Sequence, residues 1–182
     1  EGQFTGDVSL PDYKRLEVKG EVSGLSLAAL TRRVNLGGLP YSGSISGPVT
    51  VSGPVAGPYD ASAEVAIAPG TAGVPVEGAV RVRYSQSQNI LSFTDSYVAT
   101  PSSRVTASGT LNQTIRVRAT TTRLADLPVK DLPFTLEQGD IRFEGTVTGD
   151  VQSPQIAGRV AARNVRYDKD LAANAAATIV LS

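Results

Sequence analysis

The chain has 182 residues, 41% of them hydrophobic and 19% charged, a balance that suits an ordered structure and excludes a disordered tail. Lysine plus arginine number 17, as do aspartate plus glutamate, so no basic excess exists to track a phosphate backbone or an anionic membrane, and no nucleic acid partner is expected. Cysteine and histidine are absent, which removes disulfides, thiolate chemistry, Ser-His-Asp and Cys-His arrangements and Cys/His zinc sites.

Aromatic residues are only 5%, so any core is built mainly from Val, Ala, Leu and Ile. From the N-terminus, strands are expected at 4–10 and 16–22. The stretch "GLSLAALTRRVN" then changes period: Ser26 is placed to cap, and Leu27, Leu30 and Val34 fall at helical spacing. Arg32 and Arg33 sit near the C-terminal end, where the helix dipole favours cations. Strands resume at 43–51 and 60–67. The Gly-Pro steps at 47–48, 53–54 and 57–58 are expected to be edge or turn devices.

The clearest alternation follows. "GAVRVRY" sets Val80, Val82 and Tyr84 against Arg81 and Arg83. Further strands are expected at 90–98 and 103–110, and "NQT" (112–114) reads as a turn. "TIRVRAT" sets Ile115 and Val117 against Arg116 and Arg118, and "DIRFEGTV" sets Ile141, Phe143 and Val147 against Arg142, Glu144 and Thr146. A period of two with one dry and one wet face fits antiparallel strands. A weaker helical turn is expected in "RLADLP", ended by Pro128, and the last strands at 156–167 and 172–181. Between them, Asp168 and Asp170 flank a lysine and read as a solvated turn. No stretch approaches the roughly 18 apolar residues of a membrane-spanning helix. Because the chain opens on Glu1 within strand-like sequence and stops just after "ATIVLS", an internal piece of a longer protein is expected.

The pentad Gly-x-[Val/Ile]-[Ser/Thr]-Gly recurs at 20–24, 43–47 and 145–149. "LEVKGEVSGL" from Leu16 aligns with "IRVRATTTRL" from Ile115, "GSISGPV" with "GTVTGDV", and "PYDASAEV" from Pro58 with "PQIAGRVA" from Pro154. The shift is ~100 residues, and its small variations are of the kind loops absorb. The expected organisation is 1–15 as the end of a preceding repeat, 16–112 as one β unit and 113–182 as a second, truncated unit, all in one continuous sheet.

The order of these phrases resembles the TamB-type translocation and assembly module proteins of the AsmA-like superfamily. It is carried by "GEVSGLSLAAL", "LPYSGSISGPVTVSGPVAGPYDASAEV", "GAVRVRYSQSQNILSFTDSYVATPSSRVTASGTL" and "FEGTVTGDVQSPQIAGRVAARNVRY". The resemblance implies an all-β fold: an elongated, curled antiparallel sheet (a β-taco trough) with an apolar concave face and one or two short helices. It implies a periplasmic location, in a full-length protein anchored to the inner membrane by a segment not present here, and an outer-membrane β-barrel partner of the TamA or BamA kind. It also implies a non-enzymatic role without cofactors in carrying phospholipid towards the outer membrane or in assembling outer-membrane proteins.

The feature left to carry function is an apolar stripe: Val80, Val82, Leu91, Phe93, Val105, Ile115, Val117, Ile141, Phe143, Val147, Ile179 and Leu181. Pattern alone favours an ordinary β-sandwich core, as in a structural surface or adhesin module. The resemblance reverses that preference, and the stripe becomes a lining for phospholipid acyl chains. Pairing of a nascent strand with an exposed sheet edge is the alternative role.

Overall fold

The computed structural model describes residues 2–33, 41–111, 113–123, 134–150, 153–167 and 170–181. Among these run twelve strands: β1 (Gln3–Ser9), β2 (Arg15–Ser26), β3 (Tyr41–Pro54), β4 (Asp60–Pro69), β5 (Val74–Pro75), β6 (Glu77–Ser85), β7 (Ile90–Ala99), β8 (Ser103–Thr110), β9 (Thr114–Thr121), β10 (Phe134–Gly149), β11 (Pro154–Tyr167) and β12 (Asp170–Leu181). The expected helix is present as α1 (Leu27–Arg33); Val34 lies outside the described residues, as do the "RLADLP" turn beyond Arg123, Asn112 and Asp168.

The strands form one open antiparallel sheet in the order β1-β2-β3-β4-β6-β7-β8-β9-β10-β11-β12, with the short β5 pairing in parallel with the start of β3. Apart from β5, each strand lies beside the next in sequence, so the path follows chain order. Substantial strand contacts are confined to hydrogen-bonded neighbours, and α1 rests on β2 and β3. A sandwich would place a second layer about 10 Å away over one face. No such layer exists among the described residues, so the apolar stripe is not a sandwich core.

The surface area confirms an open form. The accessible surface is 11924 Å², against about 8,300 Å² expected for a compact protein of this mass. No side chain among the described residues falls below 2% exposure. The two faces are nonetheless unequal. In β6, Arg81 and Arg83 are exposed while Val80 and Val82 are half-buried; in β9, Arg116 and Arg118 are exposed while Ile115 is buried and Val117 half-buried. A flat single layer would expose both faces alike, so the sheet curls towards its apolar face.

Irregularities supply bends. Register shifts interrupt β2–β3 between Val22 and Leu25, β6–β7 between Ala79 and Val82, β7–β8 between Phe93 and Ser96, and β10–β11 between Leu136 and Asp140. Such shifts raise local twist and bend a strand. The Gly-Pro expectation needs correction here: Gly47-Pro48 lies within β3, an interior strand, and Gly53-Pro54 at its end. The sheet tolerates Pro48 because the β3–β4 ladder passes from Ser46↔Ala66 to Val49↔Ala63 without pairing Gly47 or Pro48, beside Gly47 at φ 145. Gly24, Gly47 and Gly149 close the three pentads, and all three have positive φ. The repeated phrase is thus a strand segment ending in a backbone conformation that a side chain would disfavour.

Candidate functional site

Directly paired residues of an antiparallel sheet share a face, so the ladders assign every strand residue to one side. Ala63, Val82, Phe93, Gly109, Ile115, Val147 and Ile156 form one unbroken row from β4 to β11. Ala107, Val117, Gly145 and Gly158 form the next, and Val98, Val105, Ala119, Phe143 and Val160 the one beyond. Ile141 pairs with Thr121 and Ala162, Leu91 with Tyr84, and Val80 with Val65. The predicted stripe therefore falls on a single face. Ile179 and Leu181 hold the matching register positions opposite Gly158 and Ile156, but their side chains lie outside the described residues.

This face is the more covered one. Buried Ile67, Leu111, Ile115 and Ala162 belong to it, as do Ser96, Ser103 and Thr121. The stripe is not uniform, however. Ile115 is only 4% exposed, whereas Val105 is 38% exposed. Ile115 and Leu111 flank the β8–β9 turn, and both are enclosed by the protein itself, so Ile115 belongs to the packing that shapes the trough and not to its open lining. Alternation alone could not separate the two, because both residues obey it.

Two aromatic rings smooth the floor. Gly145 pairs with Gly158, and a Cβ on either would meet the Phe143 ring at 2.4 Å. Gly6 pairs with Gly20, and a Cβ on Gly20 would meet the Phe4 ring at 2.4 Å. In "FTG" and "FEG" alike, the phenylalanine precedes its glycine by two residues; Phe143 lies over both paired glycines and Phe4 over Gly20. The rings cover backbone that would otherwise face the groove bare. The repeated Phe-x-Gly spelling, with a second glycine at the paired position, was the sequence signal for this device.

The opposite face is polar and partly paired within itself. Glu64 stands directly across from Arg81 and accepts a hydrogen bond from its Nε at 2.5 Å; that bond, with the added carboxylate charge, raises the Arg81 pKa. Arg118 and Glu144 make the equivalent pair at 2.9 Å, and Arg142 bonds Asp140 at 2.8 Å. Hydroxyls pair across strands as well, Thr50 with Ser62 and Ser92 with Thr110. These exposed ion pairs contribute little to stability, because solvent screens them; they keep the convex side wet.

Among the described residues, no group of His, Cys, Asp and Glu could hold a metal ion, and no helix is long and apolar enough to cross a membrane. The site is therefore a surface: a shallow apolar floor of branched side chains, methyl groups and rings, open on one side. It offers nonpolar contact with few fixed hydrogen-bond directions. No family model, curated protein or solved structure matches the chain.

Proposed function

We propose that this chain is a segment of a TamB-like lipid conduit, in which phospholipid acyl chains lie along the concave face while their headgroups stay in water. The observation that carries the reading is the single-layer sheet whose apolar face has no second layer over it. Such a surface stabilises a fluid hydrocarbon by about 0.8 kcal/mol for each buried methylene. Rows of Val, Ile, Ala and Phe running across successive strands give a largely apolar path, and the buried hydroxyls of Ser96, Ser103 and Thr121 on that face are satisfied within the protein. The resemblance of the strand and glycine phrases to TamB-type proteins supports the same reading. On this reading the segment works in the periplasm of a two-membrane bacterium, within a longer chain anchored in the inner membrane and together with an outer-membrane barrel of the TamA or BamA kind. The role is non-enzymatic: it requires burial and release, not bond chemistry.

Assembly of outer-membrane proteins by strand addition is the second reading. One observation favours it: every residue of the edge strand β1 is exposed, as a template for another strand requires. The two readings separate by experiment. Val117→Arg places a guanidinium on the floor between Ala107 and Gly145. Conduction predicts a folded variant that no longer retains fluorescent phospholipid, because a passing tail meets an unpaired charge that is costly to desolvate. Native mass spectrometry of the unaltered chain is expected to show bound phospholipid. Retention of lipid by the variant at the unaltered level removes the floor from the path and leaves the edge reading.

A further inference from the structure

The overall charge is zero, but the ladders separate it. Among the side chains described, the convex face of β8–β11 carries Arg104, Arg116, Arg118, Arg142, Arg159 and Arg163, all exposed, with only Glu144 and Asp140 among them as carboxylates. At the other end of the sheet, the same face of β1–β4 carries Asp7, Glu17, Glu21, Asp60 and Glu64 against Arg15 and Lys19. Glu144 and Asp140 are engaged by Arg118 and Arg142. Among the described residues, Arg116, Arg159 and Arg163 have no ion-pair partner, and Arg104 lies 4.0 Å over the Tyr97 ring. Ser108 and Thr146 flank Arg116 in its register row, and the three share one surface groove with Thr106.

We propose that this convex patch docks on an anionic phospholipid surface, by chemistry separate from the concave floor. Its basic residues are all arginine, whose planar fork matches phosphate oxygens two at a time and is less strongly hydrated than an ammonium. The hydroxyls between them add donors to the same oxygens. A protein partner would call for a buried aromatic or aliphatic anchor, and single-stranded nucleic acid for aromatic stacking platforms. The patch offers neither, since Tyr97 is capped by Arg104. The charge separation also orients the molecule: the β8–β11 end is drawn to the surface and the β1–β4 end is repelled from it.

The test is co-sedimentation of the whole chain with vesicles of phosphatidylcholine and of phosphatidylcholine mixed with phosphatidylglycerol, at low and high salt. Binding is expected only to the mixed vesicles at low salt, since screening shortens the reach of exposed charges. Each basic side chain near an anionic surface strengthens binding about fivefold, so Arg116→Gln with Arg159→Gln weakens it about 30-fold. The melting temperature does not move, because both side chains are exposed. Replacing both by lysine keeps most of the binding. Acyl-chain retention on the concave floor is expected to be indifferent to all these changes, so either proposal can fail without the other. Equal binding to both vesicle types, no binding to the mixed vesicles, or undiminished binding by the glutamine variant each overturns docking. Equally tight binding to heparin would reassign the patch to soluble polyanions and also overturn it.

Discussion

Phe143 was read from alternation as a lining residue, and the structure gives it a second task as the cover of Gly145 and Gly158. The two tasks make it a poor probe of lipid contact, because removing the ring also bares backbone. They make it a good probe of the packing. In Gly158→Ala the new methyl meets the Phe143 ring before anything else, and overpacking of this kind costs about 1–3 kcal/mol. In a Phe143→Ala background the same glycine substitution is expected to cost less, and the coupling in that double-mutant cycle measures the device. Equal costs in both backgrounds would mean that the ring does not rest there. Val117 and Ile115 give a sharper contrast, two residues apart on one face. Val117→Arg can run its stem over apolar neighbours and reach water from the open side, so it lowers stability by no more than about 1 kcal/mol. Ile115 is enclosed, and Ile115→Arg leaves a charge unpaired inside the packing, a loss of about 3–5 kcal/mol. Thermal melts of the two variants check the difference, and equal losses would erase the distinction between floor and frame.

At the scale of elements, the break in β7 shows how a sheet bends without losing polar balance. Ser96 is only 5% exposed. Its Oγ accepts from the Arg81 N–H at 2.9 Å and donates to the Arg81 carbonyl at 3.1 Å, restoring on β6 what the bulge removes from the ladder. Ser96→Ala leaves both backbone groups short of a partner and is expected to cost about 1–3 kcal/mol in chemical denaturation with an unchanged slope; a smaller loss would place water in the role. The existence of β6, β9 and β10 was legible, because Arg-Val-Arg and Ile-Arg-Phe alternate without interruption, and α1 announced itself by a change of period after Ser26. Position within the sheet was not. Nothing local in Gly47-Pro48 says that β3 is interior, since that depends on the strands that flank it. The enclosure of Ile115 depends on a turn several residues away. The arginines of β8–β11 occupy one face by register, a relation between strands that a balanced total charge conceals.

For the whole molecule, curvature without a second layer has a thermodynamic consequence. A sheet path of eleven strands spans about 48 Å at the usual spacing, whereas a compact chain of this length, with a radius of gyration near 16 Å, is about 41 Å across. X-ray scattering is expected to show a flattened, asymmetric particle with a radius slightly above the compact value. With no side chain among the described residues below 2% exposure, much of the burial that would stabilise a globule is missing, and the concave face retains apolar surface that no second layer of described residues covers. A lipid that occupies this face in the folded chain and has no such face to bind in the unfolded one stabilises by mass action, by ~2.7 kcal/mol at a hundredfold excess over its dissociation constant. For a chain of this size that corresponds to a rise in melting temperature of roughly 5–10 °C. A short-chain phospholipid below its micelle concentration is the suitable probe. Val117→Arg is expected to abolish the rise while the arginine-to-glutamine pair on the convex face leaves it intact, which assigns the effect to one side of the sheet. A melting temperature indifferent to lipid would mean that the open face stays wet, and a compact scattering profile would mean that it closes on itself in solution; either result removes the basis for a conduit.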